Sequence, residues 1–170
     1  LASQKSKGRS VTFRGKEHII KDLSEYDFSN TDLALFSAGA SVSAEYAPKA
    51  VSQGCVVVDN SSCFRYDDDI ALIVPEVNGD ELSNYDLPSI IANPNCSTIQ
   101  MLVALKPIHD EFKIKRIDIT TMQAVSGTGK EATEELLDQL SAYQGENELE
   151  KNVYPKQIAN NVLPHCDAME

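Results

Sequence analysis

Short apolar runs closed by turn-forming residues alternate along this chain with longer stretches in which apolar positions recur at helical spacing. That alternation predicts strands joined by helices. The run at 31–37, TDLALFS, is bounded by turn residues and leads into Ala38-Gly39, so it reads as a buried strand opening into a loop. SVSAEYAPKAVSQG follows as a short helix, with Ser41 or Ser43 as its N-cap and Gly54 as its stop. Pro48 then belongs in the first turn or marks a kink. CVVVDNSS, from Cys55, is a second buried strand, and ALIVPEV within 70–77 supplies a further one. Strand, helix, strand is a βαβ unit, whose ligands sit beyond the carboxyl ends of parallel strands. Function is therefore expected at Ser37-Ala38-Gly39 and at Asn60-Ser61-Ser62.

Weaker alternation at Val11-Thr12-Phe13 and over 17–23 predicts two short extended pieces ahead of this unit. Beyond it, Ile99, Leu102, Val103, Leu105 and Ile108 mark a helix from Cys96 to about Phe112, which Pro107 bends or ends and His109 caps. IKRIDITTMQAVSGTG reads as a β-rich segment ending in a glycine-bearing loop. Lys130 to Tyr143 reads as an amphipathic helix through Ala132, Leu136, Leu137 and Leu140, and the acid cluster between 131 and 150 as a solvated helix face and loop. His165 falls in a loop after Pro164.

With 170 residues, 42% of them hydrophobic, the chain can form one sizeable core or parts of two. A net charge of −11 argues against a nucleic-acid or anionic-membrane surface, because such partners demand clustered Lys and Arg. A bound phosphate must then be held locally, by a few cations and backbone N–H groups. The four cysteines form no C-x-x-C pair and the three histidines lie at no metal-ligand spacing from them, so no metal site is expected. No apolar run reaches the ~18 residues that a membrane span needs. A cytoplasmic setting with free thiols fits this pattern, with Cys55 and Cys63 as buried structural thiols beside apolar strands.

ANPNCSTIQM places Cys96 where a turn-forming Asn93-Pro94-Asn95 becomes the helix start. Unpaired backbone N–H groups and the positive end of the helix dipole favour a thiolate there, and the thiolate is the nucleophile. The position also suits an ordinary small buried residue at a helix start. Four loop ends carry related chemistry: S-A-G at 37–39, D-N-S-S-C-F-R at 59–65, N-P-N-C-S-T at 93–98 and Q-A-V-S-G-T-G at 123–129.

Together these motifs resemble the bacterial-type aspartate-semialdehyde dehydrogenase family, over essentially the whole chain. NPNCST followed by QAVSG is a strong signature, because no single generic fold feature requires both. The resemblance implies an α/β fold: a Rossmann-like parallel-sheet dinucleotide-binding domain, partly present at 1–95, and part of an α+β catalytic and dimerisation domain at 96–170. It implies an NADP-dependent, reversible reductive dephosphorylation of 4-phospho-L-aspartate to L-aspartate 4-semialdehyde, toward lysine, methionine and threonine. Cys96 is then the thioester-forming nucleophile and Gln123 the glutamine that orients substrate. Arg65, with Asn95, holds the phosphate. Ser3, Lys5 and Ser6 fall where the family's S-x-R-S group meets the 2′-phosphate of NADP; Lys5 in place of arginine keeps the charge and loses the bidentate fork. Ser37, Ala38 and Gly39 are implied to lie along the dinucleotide, and Asn93, Ser126 and Gly127 near the nicotinamide.

The family's first strand and glycine-rich loop would precede Leu1, and its general-base histidine, substrate-carboxylate arginine and phosphate-site lysine match nothing in this chain. A fragment of a longer protein is expected, inactive alone, whose full form is a homodimer or a dimer of dimers. Two alternatives stand beside this one: another acyl-phosphate reductase of the same mechanism, and a non-catalytic dimerisation or binding fragment.

Overall fold

The computed structural model describes residues 1–144 and 150–164, with side chains excepted at 143 and 144. His165, Cys166 and the part of the acid cluster at 145–149 lie outside them. The chain divides into two compact units, Leu1–Ile117 and the remainder from Asp118.

The first unit is built on a four-stranded parallel sheet. Leu33–Phe36 (β3) pairs with Val56–Asp59 (β4), in register from Leu33 opposite Val56 to Phe36 opposite Asp59. Ile90–Ala92 (β6) lies on the other side of β4, and Ala71–Leu72 (β5) completes the order β3-β4-β6-β5. Between β3 and β4 runs Ala40–Ser52 (α1), which buries Ser43, Ala47 and Ala50 at positions that share one helix face. The alanines on that face let α1 approach the sheet closely. Phe28, Phe36, Cys55, Val57 and Ile90 fill the space with them. Phe28 is fully buried, with Tyr26 edge-on at 4.9 Å, and its burial alone contributes about 1.5–3 kcal/mol.

Ahead of the sheet, Ser10–Phe13 (β1) and Lys16–Ile19 (β2) form an antiparallel hairpin. Its two turn residues, Arg14 and Gly15, both have positive φ, 49° and 73°, as a two-residue hairpin turn that follows the strands' twist requires. The extended piece expected at 17–23 is thus shorter. It ends at Ile19, and Leu23–Glu25 is a 3-10 turn capped by the Asp22 carboxylate.

Several local expectations are corrected. Gly39, not Ser41 or Ser43, is the N-cap of α1. Pro48 lies well past the first turn; Ala44 and Pro48 are both exposed, so the turn that loses its N–H bond to the proline lies on the solvent face of α1. ALIVPEV is not one strand: only Ala71–Leu72 pairs, and Pro75 opens the short helix Pro75–Asn78 (α2), where a proline at the first helical position costs nothing. β6 was not anticipated, since three residues between Pro88 and Pro94 make too short a run to stand out. Cys96–Phe112 (α3) continues through Pro107 and ends at Lys113, whose φ is 56° and whose N–H bonds the His109 carbonyl. Residues 113–124 form no strand: a strand exists only as a paired ladder, and no β-ladder among the described residues includes this segment.

In the second unit, Lys130–Gln144 (α4) follows the 3-10 turn Val125–Gly127. Its most buried positions are Ala132, Glu135 and Gln139, whereas Leu137 is 57% exposed. Of the expected apolar face, Ala132 is buried and Leu136 and Leu140 are half-buried, while Leu137 points away and two polar side chains take the most buried places beside Ala132. The Glu135 carboxylate accepts the backbone N–H groups of Asn152, Val153 and Tyr154 at 2.7, 2.5 and 3.4 Å. Gln139 accepts from Ile158 and Ala159 at 2.9 and 3.1 Å and donates to the Glu150 carbonyl at 2.7 Å. Two polar side chains thus fasten the following segment onto α4, and at Ala159 the bond serves a buried N–H.

Candidate active site

The parallel register sets Phe36 beside Asp59 and Asp59 beside Ala92, so the loops after β3, β4 and β6 leave the sheet at one edge. Ser37-Ala38-Gly39 is the first of these loops. Gly39 stands at φ 97° and ψ 162°, with nothing within 4 Å of where a Cβ would lie, so it is the dihedral and not space that calls for glycine. No side chain caps α1, which leaves N–H groups of its first turn facing the loop. Such a helix start suits a phosphate-bearing ligand.

The second loop is organised from beneath by Asp59, which is fully buried. Its Oδ1 accepts from the Ser43 hydroxyl of α1 at 2.6 Å and from the Ser61 N–H at 3.2 Å; its Oδ2 accepts from the Ser61 hydroxyl at 2.6 Å. Ser61 Oγ accepts in turn from the Cys63 N–H at 3.1 Å. The turn thus shaped returns Arg65 across the sheet edge. Its Nε donates to the Asn93 carbonyl at 3.0 Å and its Nη2 to the Asn60 carbonyl at 3.2 Å. Above that pair, Asn93 Nδ2 donates to Asn60 Oδ1 at 2.6 Å.

The third loop carries the nucleophile candidate. Pro94 is buried, while Asn95 and Cys96 are exposed. The Asn95 carboxamide oxygen accepts the N–H groups of Ser97 and Thr98 at 3.0 and 3.3 Å, making Asn95 the N-cap and Cys96 the first residue of the 17-residue α3. Within this chain Cys96 is exposed, unlike an ordinary buried cysteine. Cys55 does fit that description: it is fully buried, and desolvation, with the Asp32 charge second, raises its thiol pKa. Cys63 is only partly buried, short of the expectation, because its loop lies above the sheet; burial and then the Asp59 charge push its pKa up.

Ser3, Lys5 and Ser6 share one 3-10 turn, Gln4–Ser6 with Ser3 as its N-cap, and Ser3 and Lys5 are exposed. In the second unit, Gln123 is exposed at the end of the extended segment, and Ser126 and Gly127 belong to the turn Val125–Gly127, closed by the Gly127 N–H on the Ala124 carbonyl at 3.1 Å. The first unit thus gathers Ser37, Ala38, Gly39, Arg65, Asn93, Asn95 and Cys96 along one sheet edge, and the second holds Gln123, Ser126 and Gly127 within five residues of chain. The sequence pattern marks the 60–62 loop without giving its residues roles, and offers Ser43 only as a helix cap and Asp59 only as part of a loop motif. An aspartate closing a run of valines was the available signal, since a buried carboxylate requires partners.

Known proteins resemble this chain in sequence and in fold. Residues 1–85 match the family model for the semialdehyde dehydrogenase NAD binding domain, and residues 105–170 match that for the semialdehyde dehydrogenase dimerisation domain. The aspartate-semialdehyde dehydrogenase of Legionella pneumophila is 58% identical over all of this chain and 49% of its own length. That of Shewanella violacea is 53% identical over 98% of this chain and 49% of its own. Among solved structures, aspartate semialdehyde dehydrogenase II of Vibrio cholerae complexed with ASA superposes with a TM-score of 0.95 at 47% identity, over 99% of this chain and 50% of that one. A probable aspartate-semialdehyde dehydrogenase from Pseudomonas aeruginosa gives 0.91 at 27% identity, with the same coverage. The chain spans about half the length of the curated relatives it matches. It belongs to the semialdehyde dehydrogenase family.

Proposed function

We propose that this chain is the nucleophile-bearing part of an NADP-dependent aspartate-semialdehyde dehydrogenase, which interconverts 4-phospho-L-aspartate and L-aspartate 4-semialdehyde in lysine, methionine and threonine biosynthesis. The observation that carries this reading is the exposed thiol of Cys96 at the first position of α3, one short loop from an arginine fastened to the Asn93 carbonyl. An acyl phosphate needs both a nucleophile for its carbonyl carbon and a cation for its leaving group.

Cys96 Sγ attacks the acyl carbon of 4-phospho-aspartate. The C–S bond forms, the C–O bond to phosphorus breaks, and phosphate departs with the electron pair toward Arg65. Two of the five N–H donors of the Arg65 fork are spent on backbone carbonyls, which fixes the direction in which the others present a planar, charged face to phosphate oxygens. Asn95, held by its capping bonds and adjacent to Cys96 in the chain, is assigned to the same anion. Gln123 hydrogen-bonds the bound substrate and orients the carbonyl. When bound, the dinucleotide would supply the hydride for the thioester carbonyl carbon, and Cys96 would be the leaving thiolate as the C–S bond breaks to release the aldehyde.

For the dinucleotide, the glycine-bearing turn and uncapped start of α1 are a fitting donor set, and we assign Ser37, Ala38 and Gly39 to it. Asn93, Ser126 and Gly127 are assigned to the nicotinamide end. Ser3, Lys5 and Ser6 are assigned to the 2′-phosphate, two hydroxyls and one ammonium on a single turn. The division of labour falls near residue 95, between nucleotide binding and the catalytic and dimerisation part, and the working protein is a homodimer or a dimer of dimers in the cytoplasm.

The test is turnover of aspartate semialdehyde with phosphate and NADP by the full-length protein, beside its Cys96→Ala variant. Turnover in the parent and none in the variant supports the reading. Retained turnover in Cys96→Ala removes Cys96 from its role, and exclusive use of another acyl phosphate transfers the chemistry to a different substrate.

A further inference from the structure

We infer that Asn60 is a positioning residue that latches the anion-binding arm to the nucleophile loop. This rests on the reading of Arg65 as the phosphate arm, and it adds a residue that touches neither phosphate nor thiol. Three hydrogen bonds close a triangle at the sheet edge. Arg65 Nη2 donates to the Asn60 carbonyl at 3.2 Å, Arg65 Nε to the Asn93 carbonyl at 3.0 Å, and Asn93 Nδ2 to Asn60 Oδ1 at 2.6 Å. Asn60 is the corner that meets both other members, through its main chain on one side and its side chain on the other.

The corner is itself anchored. The Asn60 N–H bonds the Phe36 carbonyl at 2.8 Å, and the Asn93 N–H bonds the Asp59 carbonyl at 2.8 Å, so both loops leave the sheet in fixed register. Ser61, the next residue, is tied by main chain and side chain to the buried Asp59. What the sheet does not fix is the separation of the two loops above its edge. Only the amide pair Asn60–Asn93 and the guanidinium itself cross that gap among the described residues. Without the amide pair, Arg65 alone would hold the loops together, and an anion arriving at its fork would compete with that duty.

An arginine on a flexible arm loses rotamer freedom when it binds phosphate, whereas one already held in place does not. The latch should therefore act on the affinity for phosphate and leave the intrinsic reactivity of the thiol unchanged. Neutral hydrogen bonds of this kind carry effects of roughly threefold to tenfold.

The measurement is the phosphate concentration that half-protects Cys96 from alkylation by iodoacetamide in the full-length protein, read on the Cys96 peptide by mass spectrometry. It needs no turnover. Asn60→Ala removes the latch, and Asn60→Ser keeps a polar side chain too short to reach Asn93, which covers the case in which the alanine variant folds poorly. In both, the half-protecting phosphate concentration should rise roughly threefold to tenfold, while the alkylation rate without phosphate stays within about twofold of the parent. An unchanged half-protecting concentration in folded variants overturns the latch and leaves the dehydrogenase reading standing. A slowed or accelerated rate without phosphate, with no change in phosphate dependence, marks Asn60 as a purely structural residue and also overturns it. If phosphate fails to protect Cys96 in the parent protein, the assignment of Arg65 as phosphate arm falls, and the latch with it. If the parent is protected and the variants shifted, yet aspartate semialdehyde is not turned over, the latch stands and the substrate assignment fails.

Discussion

The Ser43 hydroxyl donates to the Asp59 carboxylate across 2.6 Å, both side chains fully buried, and so joins the helix that follows the Ser37–Gly39 loop to the strand that precedes the Arg65 loop. Two candidate binding loops thereby share one buried bond. Asp59→Ala leaves the hydroxyls of Ser43 and Ser61 without their acceptor in a dry setting. It should lower stability by about 2–4 kcal/mol. Asp59→Asn keeps Oδ1 for Ser43 and offers an N–H to Ser61 Oγ, and should cost about 1 kcal/mol. Urea denaturation midpoints of the full-length protein decide; equal midpoints for both variants would show that the carboxylate is not the junction.

The thiols should separate cleanly by exposure. Cys96 is exposed, Cys63 partly buried and Cys55 fully buried. Burial raises the pKa of Cys55 and Cys63, so at any pH below those values a smaller fraction of each is thiolate than in the unfolded chain. At about pH 8, iodoacetamide labelling of both should therefore be slower in the native protein than in urea. Mass mapping should find Cys96 modified first and Cys55 last; early modification of Cys55 would contradict its place in the core.

Asn95 combines a capping role with a place next to the thiol, and two substitutions distinguish them. Asn95→Asp retains an oxygen for the Ser97 and Thr98 N–H groups, so the helix start should hold. Its negative charge should raise the KM for phosphate, by tenfold or more if the anion is as close as proposed. Asn95→Ala should lower stability by about 1 kcal/mol and weaken phosphate binding less. A phosphate KM unmoved by the aspartate would place the anion elsewhere.

Lys5 stands on the turn assigned to the 2′-phosphate and is exposed. An ammonium meets that group as a point charge, while a guanidinium offers a fork. Lys5→Arg in the full-length protein should raise the preference for NADP over NAD, as the ratio of kcat/KM values, by about fivefold. Lys5→Ala should lower it. No change in either variant would remove this turn from the cofactor site.

Much of this was legible because each strong sequence signal is local and single-valued. CVVVD can hardly avoid being a buried strand, and Asn95 before an apolar periodic run reads as a cap in front of Cys96. What escaped depends on partners distant in sequence. Ile90–Ala92 becomes a strand only because β4 and β5 lie on either side of it. IKRIDITTM alternates as a strand should, yet no β-ladder among the described residues includes it, and alternation without a ladder is not a strand. Gly39 displaced Ser41 and Ser43 as the cap because the turn after β3 demands a positive φ before the helix can begin, which a serine would resist. Ser43, suggested as a cap, instead spends its hydroxyl on Asp59, sixteen residues away.

The face of α4 tests the same lesson in the second unit. A helix read by its leucines would lose most from a change at Leu137, but that side chain is 57% exposed, whereas Glu135 and Gln139 are buried and bonded to five backbone N–H groups between them. Leu137→Ala should therefore cost less than about 1 kcal/mol. Glu135→Ala removes the acceptor of three partly exposed N–H groups and should cost about 1–2 kcal/mol, with the loss expressed as faster amide exchange at Asn152, Val153 and Tyr154. Gln139→Ala should release Ile158 and Ala159 in the same way. Hydrogen exchange read peptide by peptide separates these outcomes, because a global loss of stability would accelerate α4 and the 150–159 segment together. Protection lost from the segment alone would show that two polar side chains, rather than an apolar stripe, hold this part of the chain in place.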